Sequence, residues 1–460
     1  MISSWRARRR GRHRAESDRN LRSLVFVSLL APIAGAGAGL VDAFFRLTLE
    51  EADRIRNALI ARGHHAHVLG FLLVTAGCSV TASFGAWLVR RFSPHASGSG
   101  IPQVEAMVHA NLQLAPPNLL PIKFFGGLSA IGGGMALGRE GPSVHMGAIV
   151  AHLIGQLFRR SAEEMRMLLA AGAGAGLAVT FNAPIAGAVF VLEELVRRFE
   201  ARMVIVALGA SSTAILISRL FLGNAPDFQV AILVPNSAAT GPLPYADAAT
   251  WVLYVALGLV AGIAASLYNR SILGAFTLSG RLDRVPVEAR AAAIGAMVGI
   301  VGWFVPNLIG GGDSITQNVL AGGVAISAIP LAFAIRFCLG PVSYAARTPG
   351  GLFAPQLVLG AQLGLLCGAF CAWLFPHLGI APEAFAVVGM AAFFAGCVQA
   401  PVTAIVLITE MTAAFTTLLP MLAACFAAML VVHVLRTAPI YESLLEQVIE
   451  EARSPPHPSP

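Results

Sequence analysis

The chain has 460 residues, 56% of them hydrophobic and only 12% charged, with a formal net charge of +7. A water-soluble domain carries about 25% charged residues, so this composition excludes an ordinary soluble fold and places the chain in lipid. The charge excess sits at one end: residues 1–22 hold Arg6, Arg8, Arg9, Arg10, Arg12, Arg14, Arg19 and Arg22 against Glu16 and Asp18. Such a run suits nucleic acid in isolation. Followed directly by an apolar span it reads instead as a cytoplasmic anchor under the positive-inside rule, with no nucleic-acid partner. Residues 1–21 are therefore read as a basic cytoplasmic tail, and not as a cleaved leader, because the apolar run is too long and lacks a small-residue cleavage site.

Along the chain, Leu24 to Leu49, Val68 to Val89, Met203 to Leu222, Trp251 to Phe276 and Leu418 to Leu435 are apolar runs that approach or exceed the roughly 20 residues a spanning helix needs. Other runs are too short or too broken by Gly and Pro to cross simply, a pattern of transporters and channels. The expected fold is an all-α polytopic membrane protein whose many helices are tilted and partly non-spanning. Arg90 and Arg91, and later Arg197, Arg198 and Arg202, mark further cytoplasmic edges; Arg54, Arg56 and Arg62 fit that rule less well, although Glu50, Glu51 and Asp53 offset them. The six cysteines all lie within apolar segments without zinc-site spacing, so they read as small buried hydrophobes, with no metal or cofactor implied.

A Pro/Asn/Gly-rich stretch separates two halves, giving a first membrane repeat at 22–222, a linker at 223–248, a second repeat at 249–445 and a short Pro-rich tail at 446–460 with no regulatory domain. The halves echo each other. Asn182-Ala183-Pro184 through Glu193 aligns with Gln399-Ala400-Pro401 through Glu410. Gly138-Arg139-Glu140-Gly141-Pro142 aligns with Gly351-Leu352-Phe353-Ala354-Pro355, and Gly98-Ser99-Gly100 with Gly310-Gly311-Gly312. The three separations are all roughly 215 residues, which marks one duplication. Duplicated halves place a substrate site at their interface, near the midplane. The alignment alone leaves open whether the repeat is parallel or inverted.

The chemistry lies in the breaks. An anion crossing lipid needs partial positive charge, since a full cation in the site is costly to bury and releases the ion poorly. A helix N-terminus supplies free N–H groups and about half a positive charge. Pro102, Pro142 and Pro355 stand where a first helical turn spares an N–H. Ser99 adds a hydroxyl, and Lys123 is the only lysine in the chain. Glu140, a carboxylate between glycines at membrane depth, must pair, line water or titrate.

Gly98-Ser99-Gly100-Ile101-Pro102, Gly138-Arg139-Glu140-Gly141-Pro142, Gly351-Leu352-Phe353-Ala354-Pro355 and the late Tyr441 together resemble the CLC family of chloride channels and chloride/proton antiporters, from about Leu21 to Leu445. The resemblance implies two inverted-topology repeats, a multi-pass protein of the cell membrane (the inner membrane in a Gram-negative organism) with a cytoplasmic N-terminus, and a homodimer with one pathway per protomer. It implies that chloride is the bound substrate, held by the hydroxyls of Ser99 and Tyr441 and the amides of Leu352 and Phe353. Glu140 becomes the external gate and proton glutamate, occupying an anion position when ionised and swinging out when protonated. Lys123 and Arg139 match basic residues near the pathway that are not ligands, and Gly98, Gly100, Gly138 and Gly141 shape the loops. Antiporters of the family carry an internal proton glutamate where this chain has Glu194, beside Glu193; channels typically carry an apolar residue there. A serine at 99 favours chloride over nitrate. Gln103 departs from a glutamate frequent at that place, whereas Glu105 is kept.

The expected function is thus chloride/proton antiport and not enzymatic catalysis, with a passive chloride channel of the same family as the near alternative. A remote alternative is an intramembrane serine protease, since Ser97-Gly98-Ser99-Gly100 and Ala151-His152-Leu153-Ile154-Gly155 approximate a serine–histidine pair. That reading leaves Glu140 and the duplication unexplained. Glu410, the mirror of Glu193, is read as structural, and His145 and His152 as packed side chains.

Overall fold

The computed structural model describes residues 2–109, 116–230, 248–282 and 284–453, with side chains over 23–109, 116–230, 250–282 and 284–450. Most of the 223–248 linker, the end of the 446–460 tail and the side chains of the basic 1–21 stretch lie outside the described residues.

The first half holds eight helices: α1 (Ile2–His65), α2 (His67–Phe92), α3 (Ile101–Val108), α4 (Leu119–Gly132), α5 (Glu140–Leu157), α6 (Ala162–Phe181), α7 (Pro184–Phe190) and α8 (Ala201–Leu222). The second half repeats them as α9 (Ala248–Gly280), α10 (Val287–Phe304), α11 (Asp313–Leu320), α12 (Ile329–Tyr344), α13 (Phe353–Leu374), α14 (Pro382–Val398), α15 (Pro401–Thr412) and α16 (Leu418–Val434). The helix α17 (Ile440–Arg453) follows. Eight helical stretches are long and apolar enough to cross a membrane among the described residues, whereas α4, α14 and α15 are apolar but shorter. Large apolar side chains such as Leu29, Leu69, Leu220, Trp373 and Phe426 point outward, as a lipid-facing surface requires.

The duplication is visible in the backbone. Gly98 and Gly100 before α3 have φ of 63° and 90°, and their counterparts Gly310 and Gly312 before α11 have 76° and 100°. These left-handed turns need glycine and reverse the chain into an eight-residue helix in each half. Asn182 and Gln399 both close a helix in the left-handed region, at φ 49° and 64°, ahead of an Ala-Pro start. Packing repeats as well: α1 rests on α6 and α8 as α9 rests on α14 and α16, and α5 pairs with α6 as α13 pairs with α14. Glycines permit the close pairs. A Cβ built on Gly147 would stand 2.3 Å from the Gly172 carbonyl, and one on Gly360 2.6 Å from that of Gly389, the small-residue contact that holds helices together where lipid removes the hydrophobic drive.

Where the halves meet, helices pack on their own counterparts, α2 on α10 and α7 on α15. Both pairs are antiparallel. Gly295 of α10 lies over Cys78 while Gly299 lies over Thr75, so one chain ascends as the other descends. At the other pair, Glu193 just beyond α7 accepts from the amides of Val402 (3.1 Å) and Thr403 (2.6 Å) at the start of α15. Glu410 near the end of α15 accepts from Ile185 (3.2 Å) and Ala186 (2.7 Å) at the start of α7. An element lying antiparallel to its own copy requires a two-fold axis across the helices, so the repeats are inverted. Each carboxylate also neutralises the positive end of the other helix. Replacing Glu193 with alanine is expected to lower stability by about 1–3 kcal/mol, the worth of hydrogen bonds to a charged acceptor. Thermal unfolding in detergent measures it, and Glu410→Ala is expected to match by symmetry.

Candidate functional site

Three loops before α3, α5 and α13 are stitched into one floor. Gly138 and Gly351 exchange both backbone hydrogen bonds, N to O at 2.9 and 2.7 Å, while Gly98 donates to Thr348 (3.2 Å) and accepts from Gly350 (3.1 Å). Lys123, fully buried on α4, donates its ammonium to the carbonyls of Ala96 (3.0 Å) and Gly98 (2.8 Å). Its charge is taken up by these two backbone carbonyls.

Glu140 is completely buried. Its Oε1 accepts from the Phe353 amide at 2.5 Å, the N-terminus of α13, where free N–H groups and the helix dipole favour an anion. The carboxylate therefore stands where the resemblance assigns an anion, and its Oε2 has no hydrogen-bond partner among the described residues. Glycine makes this seat possible: a Cβ on Gly138 would lie 1.9 Å from Oε2 and one on Gly351 2.2 Å from Oε1.

Ser99 meets the same place. A Cβ on Gly141 would fall 2.7 Å from Ser99 Oγ and 2.9 Å from Gly351 Cα. Tyr441, fully buried at the start of α17, faces Ser99 with its hydroxyl. Its ring packs on Phe353 with centroids 5.5 Å apart, and Phe353 is wedged in turn against Phe394 and Phe190. Neither hydroxyl has a well-formed hydrogen bond among the described residues. Ser99, Glu140, Leu352, Phe353 and Tyr441 are thus brought together from α3, α5, α13 and α17, with Gly98, Gly100, Gly138 and Gly141 as the close-packed backbone between them.

Two cavities flank this cluster. One, of about 350 Å³, opens beside Gly138 and Ala354 and is lined by Arg46, Asp53, Arg139, Asp227 and Asp313, among others. The second, of about 160 Å³, opens beside Gly98 and Tyr344 and reaches His95, Gln103 and Gln447. The first is walled by the later part of α1, toward the start of α2, and the second by the residues just beyond α2's end. Since α2 has 26 residues and so spans about 39 Å, the cavities lie toward opposite faces.

Glu194 sits apart, 4% exposed, in a π turn (Val191–Leu195) beyond α7, a deviation that recurs at functional sites. Its Oε1 has no hydrogen-bond partner among the described residues. Around it stand Glu105, Glu193, Glu442 and Arg197, with Arg197 joined to Glu105 at 3.0 Å and to Glu442 at 3.8 Å. Because Tyr441 and Glu442 are adjacent, the first turn of α17 carries one side chain to the central cluster and the next to this acidic one.

Arg139 does not pair with Glu140. Its guanidinium reaches Asp313 (3.0 Å), Asp227 (3.4 Å) and the Thr180 carbonyl (3.2 Å). Ser99 and His152 are also separated: Ser99 lies against Gly141, while His152 is eleven residues further along α5, about 16 Å along its axis. No serine–histidine pair forms there.

A family model described as "Voltage gated chloride channel" matches residues 80–433. The chain belongs to the voltage-gated chloride channel family. It is 34% identical over 453 residues to the H(+)/Cl(-) exchange transporter ClcA of Salmonella paratyphi B, covering 96% of this chain and 93% of that protein. Identity to the ClcA exchanger of Cronobacter sakazakii is 34% over 431 residues, covering 92% and 90%. Among solved structures, a slow cyanobacterial Cl-/H+ antiporter superposes with a TM-score of 0.86 at 30% identity, covering 93% of this chain and 99% of that one. A eukaryotic CLC transporter superposes at 0.75 with 22% identity, covering 94% and 75%, and shares the fold. Sequence reasoning missed two acids of the larger cavity, Asp227 and Asp313, and one buried acid elsewhere on α1. Asp42 is a buried acid of α1 whose two oxygens lack hydrogen-bond partners among the described residues. It was findable, being the sole acid in the Leu24–Leu49 run. Asp227, in a loop, and Asp313, the first residue of α11, are the partners of Arg139 and carry no such signal, because acids outside the apolar runs look alike before folding.

Proposed function

We propose that this protein exchanges chloride for protons across the cell membrane, with Glu140 as the gate that both ions use. The observation that carries the reading is the seat of the Glu140 carboxylate on the Phe353 amide, between cavities facing opposite sides of the protein. A carboxylate and a chloride compete for the same electropositive helix end. When ionised, Glu140 blocks the path. Protonation removes its charge and its claim on the α13 terminus, and the freed amides of Leu352 and Phe353 with the hydroxyls of Ser99 and Tyr441 then receive chloride. No cofactor is required by this chemistry.

Glu194 supplies the second proton station. It is buried at the other end among Glu105, Glu442 and Arg197, where a carboxyl can load from one side without meeting the anion. With the basic N-terminus in the cytoplasm, α1 rises so that Arg46 and the larger cavity face outward. The C-terminal end of α2 at Arg90 and Arg91 and the Glu194 cluster then face inward, consistent with positive-inside placement. We further propose a homodimer. Glu193 and Glu410 are only partly buried on the α7–α15 pair, beside exposed Ile185 and Val402, and carboxylates at a lipid-facing surface are costly unless a second copy covers them.

Simultaneous chloride and proton recording in proteoliposomes tests the function. An imposed chloride gradient is expected to drive protons uphill, in the direction opposite to chloride. Chloride flux with no uphill proton movement would instead establish the passive channel.

A further inference from the structure

The larger cavity carries four arginines, Arg46, Arg54, Arg56 and Arg139, and four acids, Glu50, Asp53, Asp227 and Asp313, in its lining. A mouth that admits an anion is expected to be electropositive; this one is balanced. The balance is not spread evenly. Arg54 pairs with Glu51, which is 59% exposed, and Arg56 with Asp53, which is 43% exposed, where solvent screens the charges. Asp227 is different. Its side chain is only 6% exposed and bridges two guanidiniums, Arg46 of α1 at 2.8 Å and Arg139 at the gate loop at 3.4 Å. Arg139 immediately precedes Glu140, and Asp227 stands in the segment leading from α8 toward the second repeat.

That segment is seated firmly. Phe228 donates its amide to Met411 O at 3.0 Å, and Gln229 exchanges two hydrogen bonds with Gln317 of α11, at 2.9 and 3.0 Å. Asn182, the left-handed cap of α6, donates its side-chain amide to Ala225 O at 2.8 Å. The chain is therefore anchored on both sides of Asp227, and the carboxylate is delivered to the two arginines by backbone that has little freedom to withdraw it.

We propose that Asp227 sets the anion affinity of the outer mouth: Arg46 and Arg139 also meet the more exposed Glu50 and Asp313, each at 3.0 Å, but Asp227 alone of these acids holds both arginines in a nearly buried bridge, where its charge offsets theirs with least screening and keeps chloride entry weak. It is a positioning residue acting through Arg139, not an ion ligand. This rests on the reading of the protein as a chloride transporter.

Asp227→Asn removes the charge yet keeps an oxygen that accepts from either guanidinium. One unscreened charge about 10 Å from the entering anion is expected to lower the half-saturating external chloride concentration roughly two- to fivefold. The rate at saturating chloride and the proton coupling are expected to stay at wild-type values. Asp227→Glu keeps the charge and is expected to retain the wild-type half-saturation. Glu51→Gln makes the same change in net charge at an exposed position and is expected to leave it unmoved. Should the asparagine variant not fold, Asp227→Ser repeats the test. An unchanged half-saturation in the uncharged variants, or an equal fall in Glu51→Gln, would overturn the inference. Wild-type protein that moves no chloride would overturn the transporter reading itself, so the two failures are distinguishable.

Discussion

Replacing Glu140 with alanine is expected to abolish proton transport while leaving chloride flux intact. The reason is geometric. Among the described residues Glu140 is the acid placed against the α13 N-terminus, with Oε1 on the Phe353 amide. Removing it clears the anion's seat and deletes the group that carries the proton. The electropositive amides and the hydroxyls of Ser99 and Tyr441 remain, so chloride is expected to pass at a rate within roughly a factor of ten of wild type. Proton flux is expected to fall to that of protein-free vesicles. A pH signature accompanies this. In the wild type, acid protonates the gate and frees the path, so chloride flux rises as pH falls; in the alanine variant that rise is expected to vanish. Parallel chloride-electrode and pH-electrode records on one vesicle preparation read both effects. Persistent uphill proton movement in Glu140→Ala would refute the assignment.

Replacing Glu194 with glutamine is expected to separate the two fluxes differently. Glutamine has nearly the same shape, so the π turn and its packing among Glu105, Arg197 and Glu442 are retained, but it cannot load a proton. Proton flux is expected to drop by more than about tenfold, because a proton without a relay must cross low-dielectric protein unaided. Chloride continues, since Glu194 is not part of the central cluster. The acid dependence of chloride flux is expected to survive here, because Glu140 can still be protonated from the outer cavity. That contrast with Glu140→Ala identifies which acid is the gate. Equal loss of pH dependence in both variants would show that Glu194 acts through the gate and not as a separate station.

The loops that carry Ser99, Glu140 and Phe353 were legible because each sits in a local Gly/Pro motif readable in one stretch, whereas Tyr441 entered only through the family resemblance. Gly-Ser-Gly-Ile-Pro and Gly-Arg-Glu-Gly-Pro announce a glycine reversal followed by a helix start, and the backbone duly shows left-handed Gly98 and Gly100 before α3 and Glu140 in the first turn of α5. Glu410 was legible as the mirror of Glu193, and its structural reading is matched by its place on the amides at the start of α7, as Glu193 sits on those at the start of α15. Their reciprocity was not legible, since it depends on two segments far apart in sequence lying antiparallel. Arg139, adjacent to Glu140 in sequence, pairs instead with Asp313 and Asp227. The N-terminus of α13 holds one oxygen of the Glu140 carboxylate, and the guanidinium turns toward the cavity.

Composition, periodic apolar runs and the repeated Gly/Pro breaks determined by themselves that this chain lives in lipid, that it is duplicated and that helix ends point inward, because those properties follow from local solvation and backbone sterics. Only the tertiary structure decided that the repeats are inverted, that the Glu140 carboxylate itself occupies the α13 terminus, and that Asp227 ties Arg46 to Arg139. Each of those depends on where distant segments come to rest, and the partners of Glu140, Asp227 and Lys123 are chosen by packing and not by neighbours in sequence.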